Sequence, residues 1–233
     1  MSRKCHYCPM PSSDQSDAMD VVLMADPLVA GTPVADNGEE LVDLRTRGFS
    51  VSSRLADDAG AFAHVRSGVA ERLDAAADAL PAGLRLLIIE CYRPPRLQRE
   101  YFDSYLRSLR SSRPDDDQEE LHMLASRYVS PPEIAPHSAG AAVDLTLCTE
   151  DGQELDLGTS VNANPEESSG ACYTGHPSVR GDARRNRAIL TAALGGAGFV
   201  NYPTEWWHWS YGDRYWAMTT GAPTAIYGPS QMR

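Results

Sequence analysis

The spacing of hydrophobic residues predicts four helices. Between positions 62 and 80 apolar side chains recur every three or four residues, which is the stripe of an amphipathic helix, and a Pro-Ala-Gly sequence ends it. Residues 96–110 and 115–128 are also predicted to be helical, and the second begins with three aspartates, which suit a helix N-terminus. A fourth helix is predicted from Asp182, a capping residue type, to about Leu194, where glycines follow.

Shorter apolar runs predict strands. Residues 84–91 form a continuous apolar run of strand length, and Pro94 and Pro95 then force the chain out of the strand. Residues 141–147 predict another strand, and a last pair is predicted around 199–202 and 205–211. Residues 21–53 indicate short strands and turns, and residues 148–181 a long polar loop. The predicted fold class is α+β, with helices packed against a small, mainly antiparallel sheet.

Composition and charge limit the function classes. The 233 residues, 42% of them hydrophobic, suffice for one core, so we expect a flexible tail at 1–20, one domain at 21–216 and a C-terminal extension at 217–233. The net charge of −11 argues against nucleic-acid and anionic-membrane partners, because both need clustered cations. We expect no membrane span and no signal peptide, which favours the cytoplasm.

The five cysteines predict reduced thiols rather than a disulfide framework, because their number is odd. Cys91 and Cys148 lie in apolar runs and are predicted to be core residues, whereas Cys172 in the polar loop is predicted to be exposed. Cys5 and Cys8 form a lone C-x-x-C with no second half-site after it, so we assign them to the tail. A cysteine hydrolase using Cys91 or Cys172 lacks any activating context.

Two segments carry residues suited to a metal. In the first, His137 and Asp144 are separated by small residues, and Asp144 sits within an apolar strand. An ionised carboxylate there needs a partner, which is a metal ion, an arginine or backbone amides. In the second, Glu205 precedes Trp206-Trp207-His208, and both polar side chains reach one ion only if Glu205 lies before the strand proper or a bulge intervenes. The alternative for this segment is an aromatic core strand with a structural histidine.

Together these segments resemble the M15 family of zinc D,D-peptidases, and within it the D-alanyl-D-alanine dipeptidases. The resemblance rests on three motifs: Cys91-Tyr92-Arg93-Pro94, the HxxxxxxD from His137 to Asp144, and Glu205-Trp206-Trp207-His208. It implies one zinc ion per chain held by His137, Asp144 and His208. It also implies that Glu205 activates water and later protonates the leaving amine, and that Arg93 stabilises the oxyanion.

The residues themselves leave some of these assignments open. Arg93 follows a buried strand and is held by prolines, which suits an active-site cation, but a salt bridge to Glu90 is the alternative. Asn162 stands where the resemblance implies an aspartate for the substrate ammonium, and Ala135 where it implies a serine. Asn162, Tyr92 and Trp207 are the candidate substrate-binding residues.

The sequence therefore predicts a zinc-dependent dipeptidase acting on D-Ala-D-Ala or a closely related small D-amino-acid dipeptide. A D,D-carboxypeptidase of peptidoglycan stem peptides, or a family member with shifted specificity, is the nearest alternative. The expected absence of a signal peptide disfavours the carboxypeptidase, because the polymer lies outside the membrane. A non-catalytic, zinc-stabilised binding module is the third hypothesis, and it would need neither Glu205 nor Arg93.

Overall fold

A computed structural model describes residues 21–232, so the predicted tail with Cys5 and Cys8 lies outside the described residues. Within them the helices are α1 Pro27–Ala30, α2 Ser67–Asp78, α3 Pro95–Ser112, α4 Gln118–Ala125, α5 Gly181–Gly196 and α6 Arg214–Thr220. The strands are β1 Leu41–Asp43, β2 Ser50–Val51, β3 His64–Arg66, β4 Leu84–Glu90, β5 Ala142–Thr149, β6 Val200–Asn201 and β7 His208–Ser210.

The main sheet has five strands in the order β2-β4-β5-β7-β6. Its centre is the antiparallel β4–β5 pair, which extends from Leu84↔Thr149 to Glu90↔Asp144, and β7 pairs antiparallel with both β5 and β6. The α+β class is confirmed, but the sheet is mixed, because β2 runs parallel to β4. The connection from β2 to β4 contains α2, and a parallel pair needs such a crossover.

The predicted helix at 62–80 begins later than its apolar stripe. Residues Ala61–Ala63 form a 3-10 turn, and β3 then pairs antiparallel with β1, so α2 starts only at Ser67. Val65 is buried from a strand rather than from a helix, and half-buried His64 lies on that strand. The spacing of apolar residues does not distinguish a short strand from the first turn of a helix here, because a three-residue strand fits within one helical repeat.

Two of the three hydrophobic clusters among the described residues matter for the position of the site. The larger packs the main sheet against α2 and α5, and it includes Trp206, Trp207 and Trp209. The smaller lies between α3 and α4 and consists of Phe102, Leu109, Leu121, Ala125 and Val129. Cys91 and Cys148 are buried as predicted, but the prediction for Cys172 is wrong: its side chain is fully buried, because the loop folds down onto the larger cluster.

The residues after 213 pack on the rest of the chain. Asp213 caps α6, Ala225 forms a bridge with Val34, and the buried Tyr227 donates a hydrogen bond to Glu39. None of the helices between residues 21 and 232 is both long enough and apolar enough to cross a bilayer.

Candidate active site

The sheet itself brings two of the predicted ligands together. Asp144 on β5 is the direct cross-strand partner of His208 on β7, and on its other side it faces Glu90 at the end of β4. Paired residues on neighbouring antiparallel strands have their side chains on the same face. The ladder alone therefore fixes the carboxylate and the imidazole next to each other.

His137 reaches the same place from the turn before β5. It opens the 3-10 turn His137–Ala139, which ends at Gly140 with a φ of 67°, and a Cβ added to Gly140 would collide with Leu41. The His137 Nδ1 lies 2.6 Å from the carbonyl oxygen of Cys91. A carbonyl oxygen only accepts, so Nδ1 carries the proton and Nε2 presents its lone pair to the site.

The three candidate ligand atoms converge on one point. His137 Nε2 lies 3.2 Å from His208 Nδ1 and 3.3 Å from Asp144 Oδ1, and His208 Nδ1 lies 3.0 Å from Asp144 Oδ1. A tetrahedral zinc site with bonds of about 2.0–2.1 Å has edges of about 3.3 Å between ligand atoms. If only hydrogen bonds joined these three atoms, some of their lone pairs would face one another without a proton between them. A cation at the centre of the three atoms accepts a lone pair from each. The residues fit a metal site.

The electrostatics agree with this arrangement. Burial opposes ionisation of Asp144, but the charges and hydrogen bonds of His137 and His208 outweigh it and hold the pKa of the carboxyl far below its usual range. Burial lowers the pKa of His208, which favours the neutral imidazole. Metal ligation requires an ionised carboxylate, and the lowered pKa of Asp144 favours that form.

Glu205 lies beside these ligands in a turn. The His208 amide donates to the Glu205 carbonyl, so residues 205–208 form a turn with Trp206 and Trp207 at its corner. Glu205 thus lies before β7, as the prediction required, and its Oε2 is 3.7 Å from His208 Nδ1. Burial, and then the charge of Asp144, raises the pKa of Glu205 well above its usual value. Such a pKa suits a group that takes up a proton and then releases it.

Arg93 forms the salt bridge to Glu90 that the sequence left open as an alternative, and it also lines the cavity beside the candidate ligands. Its Nε and Nη2 donate to the two carboxylate oxygens of Glu90 at 2.8 and 2.5 Å, and its Nη1 donates to Gln98 Oε1 at 2.8 Å. Among the described residues these contacts use three of the five guanidinium N–H groups, so two remain for a ligand. The pair with Glu90 therefore fixes the orientation of Arg93 rather than excluding it from chemistry.

A cavity of about 470 Å³ opens beside these groups. It is lined by Leu55, Glu90, Arg93, Tyr101, Ser104, Tyr105, Ser108, Tyr128, Val129, Ser130, His137, Asp144, Asn162, Glu205 and His208. Asn162 thus reaches the cavity, with a φ of 65° that asparagine tolerates. Tyr92, Trp207 and Ala135 are buried outside this lining, and the Tyr92 hydroxyl instead donates to the Ser230 carbonyl.

Sequence reasoning missed a group of residues in the cavity lining and a buried residue outside that lining. The first is the face of α3 formed by Tyr101, Ser104, Tyr105 and Ser108, whose helical spacing was visible but had the composition of an ordinary surface. The second is Arg187, buried on α5, which donates to four carbonyl groups of the long loop. Its signal was its place between Ala183, Leu190 and Leu194 on the buried stripe of the helix.

The cavity thus brings together a possible metal-binding triad of two histidines and a carboxylate. A second buried carboxylate, Glu205, and Arg93 lie beside that triad. The family model described as D-Ala-D-Ala dipeptidase, peptidase family M15, matches residues 53–221. This match covers well over half of the chain, which therefore belongs to the M15 peptidase family. The resemblance drawn from the sequence motifs is confirmed.

Curated relatives carry the same description. A D-alanyl-D-alanine dipeptidase from Synechocystis is 29% identical over 215 residues, covering 79% of this chain and 87% of that protein. The D-alanyl-D-alanine dipeptidase of Escherichia coli is 36% identical over 128 residues, which cover 54% of this chain and 55% of that protein.

One solved structure aligns with most of this chain. A mutant of the vancomycin resistance D,D-pentapeptidase VanY from a VanB-type cassette, in complex with Zn(II), aligns with 17% identity and a TM-score of 0.39. The alignment covers 83% of this chain and 90% of that one.

Proposed function

We propose that this protein is a zinc-dependent dipeptidase that hydrolyses D-Ala-D-Ala or a closely related D,D-dipeptide. The observation that carries the proposal is the convergence of His137 Nε2, Asp144 Oδ1 and His208 Nδ1 within 3.0–3.3 Å of one another, with Glu205 beside them. The names of the curated relatives supply the substrate class. Three free buried thiols, Cys91, Cys148 and Cys172, support a reducing compartment such as the cytoplasm.

His137, Asp144 and His208 would hold one zinc ion. When bound, zinc polarises the scissile carbonyl group and lowers the pKa of water at the site. The Cys91 carbonyl keeps the Nε2 of His137 directed at the site, and the β5–β7 ladder keeps Asp144 and His208 opposite each other. These supports hold the ligand atoms in place before a substrate arrives.

Glu205 moves the proton. Its carboxylate takes a proton from the attacking water as the new carbon–oxygen bond forms, and it delivers that proton to the amine as the carbon–nitrogen bond breaks. Its place in the turn before β7, with 7% of its surface exposed, keeps competing water away from the carboxylate.

Arg93 stabilises the developing negative charge on the carbonyl oxygen. Its two unused N–H groups are available to that oxygen, and its pair with Glu90 and bond to Gln98 leave it little freedom to turn away. A preorganised donor of this kind acts mainly in the transition state, so we expect Arg93 to affect kcat more than KM.

The test is the release of D-alanine from D-Ala-D-Ala by the purified full-length protein, with zinc content measured on the same preparation. We expect about one zinc per chain and activity that a chelator removes and zinc restores. Glu205→Gln should retain zinc and lose nearly all turnover, whereas Glu71→Gln, at an exposed position on α2, should match the wild type. A zinc-loaded protein that leaves every D,D-dipeptide intact would overturn the proposal, and a fully active Glu205→Gln would remove Glu205 from the role of base.

A further inference from the structure

One of the three candidate ligands is not held by the sheet. The ladder between β5 and β7 fixes the other two, but β5 begins only at Ala142, so the turn His137–Ala139 lies outside it. The His137 ring contacts the Cys91 carbonyl, but the backbone of a turn without ladder hydrogen bonds is fixed only by the neighbours that bind it. The contacts of this turn therefore decide how well His137 is placed at the site.

The C-terminal segment, residues 225–230, reaches this turn. The Ser230 amide donates to the Ser138 carbonyl at 2.9 Å, and the Ser230 carbonyl accepts from the Tyr92 hydroxyl at 2.7 Å. Tyr92 precedes Arg93, whose carbonyl accepts from the Ser138 hydroxyl at 2.9 Å. Neither Tyr92 nor Ser230 lines the cavity, so the segment supports the turn from outside the cavity.

Arg66 joins the same segment to the same turn from β3. Its buried guanidinium donates to the carbonyl groups of Ala139 at 2.9 Å and Gly228 at 3.0 Å, and its backbone amide donates to the Gly140 carbonyl at 2.9 Å. Asp36 balances the charge, because its Oδ2 accepts from the guanidinium at 2.8 Å and from the Gly228 amide at 2.6 Å. A buried polar network whose members are hydrogen-bonded in this way is rigid.

The C-terminal segment is itself anchored to the fold. The amides of Ile226 and Tyr227 both donate to the Gly212 carbonyl, at 2.8 and 3.0 Å. The Tyr227 ring is buried, and its hydroxyl donates to Glu39 at 2.7 Å. Because the family model matches only residues 53–221, the contacts of this segment are a feature of this chain that lies outside that match.

We propose that the C-terminal segment is a positioning element for the candidate metal ligand His137, with Tyr92 and Ser230 as its positioning residues. The segment holds the turn through Ser138, so that the imidazole is directed at the site before a metal binds. A metal binds more tightly when the arrangement that binds it is already populated. The inference rests on the proposed zinc site, and it gives Tyr92 a role that needs no contact with substrate.

The experiment measures the zinc dissociation constant of the purified protein by competition with a chromophoric chelator. Ser230→Pro removes the N–H that donates to Ser138, and Tyr92→Phe removes the hydroxyl that donates to Ser230. We expect each variant to raise the zinc dissociation constant about tenfold, since contacts that support metal ligands are worth 10–100-fold. The double variant should raise it by less than the product of the two effects, because both bonds act through residue 230.

The controls separate the amide from the hydroxyl of residue 230 and binding from turnover. Ser230→Ala keeps the amide and removes only the hydroxyl, which takes no part in the contacts with Ser138 and Tyr92, so it should bind zinc as the wild type does. At saturating zinc, KM for D-Ala-D-Ala should stay within about twofold and kcat within about threefold of the wild type in all of these variants. Thermal unfolding of the metal-free proteins measures the effect on the fold.

The outcomes separate the positioning role from a purely structural one and from the proposed function. An unchanged zinc dissociation constant in both Ser230→Pro and Tyr92→Phe would overturn the positioning role, whatever the change in Tm. Equal weakening in Ser230→Ala, or a change in KM larger than the change in zinc affinity, would overturn it too.

Weakened zinc binding in these variants of a protein that leaves D-Ala-D-Ala intact would support the positioning role and overturn the proposed function. Absence of zinc binding by the wild type would overturn both.

Discussion

The cavity has two walls that are built differently. The sheet wall carries Asp144, His208 and Glu90 on three neighbouring strands, all at least nine-tenths buried over the larger hydrophobic cluster. The helical wall, on α3 and the segment after α4, presents hydroxyl groups and rests on its own smaller cluster. The wall that carries two candidate metal ligands is therefore fixed by ladder hydrogen bonds, whereas the helical wall can vary without disturbing Asp144 and His208.

Asp144→Asn, on the sheet wall, should have the largest effect on metal binding and activity. A substitution on the helical wall should not have this effect. The change keeps the shape of the side chain but removes the charge that faces His137 and His208. We expect metal binding weaker by at least about 100-fold, because loss of mere supporting contacts costs metal sites 10–100-fold. Hydrolysis of D-Ala-D-Ala should then be lost at zinc concentrations that saturate the wild type.

Metal content after dialysis against a competing chelator is the measurement for Asp144→Asn. Ser104→Ala serves as the control on the helical wall, and it should keep the metal content of the wild type, because Ser104 lines the cavity but is not one of the three candidate ligands. Full metal retention by Asp144→Asn would show that Asp144 is not a metal ligand. The two walls would then not differ in their effect on metal binding in the way we expect.

Arg93→Lys should have the next largest effect, because Arg93 lies where the two walls meet. Lysine cannot donate to both oxygens of Glu90 and to Gln98 at the same time, so the cation is no longer held in place. We expect kcat to fall about 100-fold with a smaller change in KM, as for loss of an oxyanion donor.

Steady-state kinetics on D-Ala-D-Ala measure the effect of Arg93→Lys. The matched control is Arg99→Lys, because Arg99 is exposed on α3 and, within residues 21–232, forms a salt bridge only with the exposed Glu133. A kcat within about threefold of the wild type would make the Glu90–Arg93 pair purely structural.

The two walls also differ in how far the sequence predicted them. His137, Asp144, Glu205 and His208 are predicted together because their two motifs resemble those of the M15 family, whereas each segment alone leaves a structural alternative open. The ladder that joins Asp144 to His208 was not derivable from spacing, since strand pairing depends on register between distant segments.

The helical wall was predicted as secondary structure but not as a surface of the site. Residues 96–110 and 115–128 were predicted as helices, and α3 and α4 occupy most of these ranges. Serines and tyrosines on a helix have the pattern of any solvated face, and only the packing of α3 beside Arg93 places them in a cavity. The parallel β2–β4 pair escaped prediction for a similar reason, because two residues carry no period.

Arg187→Met should reduce stability more than it changes the chemistry. Arg187 is 4% exposed and donates to the carbonyl groups of Leu157, Ala171, Tyr173 and Thr174. Methionine fills much of the space but removes the donor from the carbonyl groups of Leu157, Ala171 and Thr174, so we expect a loss of about 2–4 kcal/mol. This corresponds to a fall in Tm of about 5–15 °C.

Thermal unfolding and limited proteolysis of the 157–174 segment measure the role of Arg187. Arg184→Met is the control, because Arg184 is exposed on the same helix. An unchanged Tm in Arg187→Met would show that the segment is held by the larger cluster alone, so that the long loop depends on the sheet wall rather than on α5.

Glu166→Gln should have the smallest effect, and it tests the link between the long loop and the helical wall. Burial opposes ionisation of Glu166, but bonds from the Tyr105 hydroxyl and Arg127 outweigh it and hold its pKa below the ordinary 4.5. A carboxyl group whose pKa is lower in the folded than in the unfolded state stabilises the protein above pH 4.5. That stabilisation is lost as the pH falls through the pKa of the folded state. Because Glu166 is about half exposed, we expect a cost of at most about 1 kcal/mol at pH 7.

Denaturant unfolding should show this difference from the wild type at pH 7 and its loss below pH 4.5, with Glu167→Gln as the exposed neighbour control. A difference that is equal at pH 7 and pH 4 would mean that the ionised carboxylate does not hold the loop against α3, and that the two walls meet only through packing.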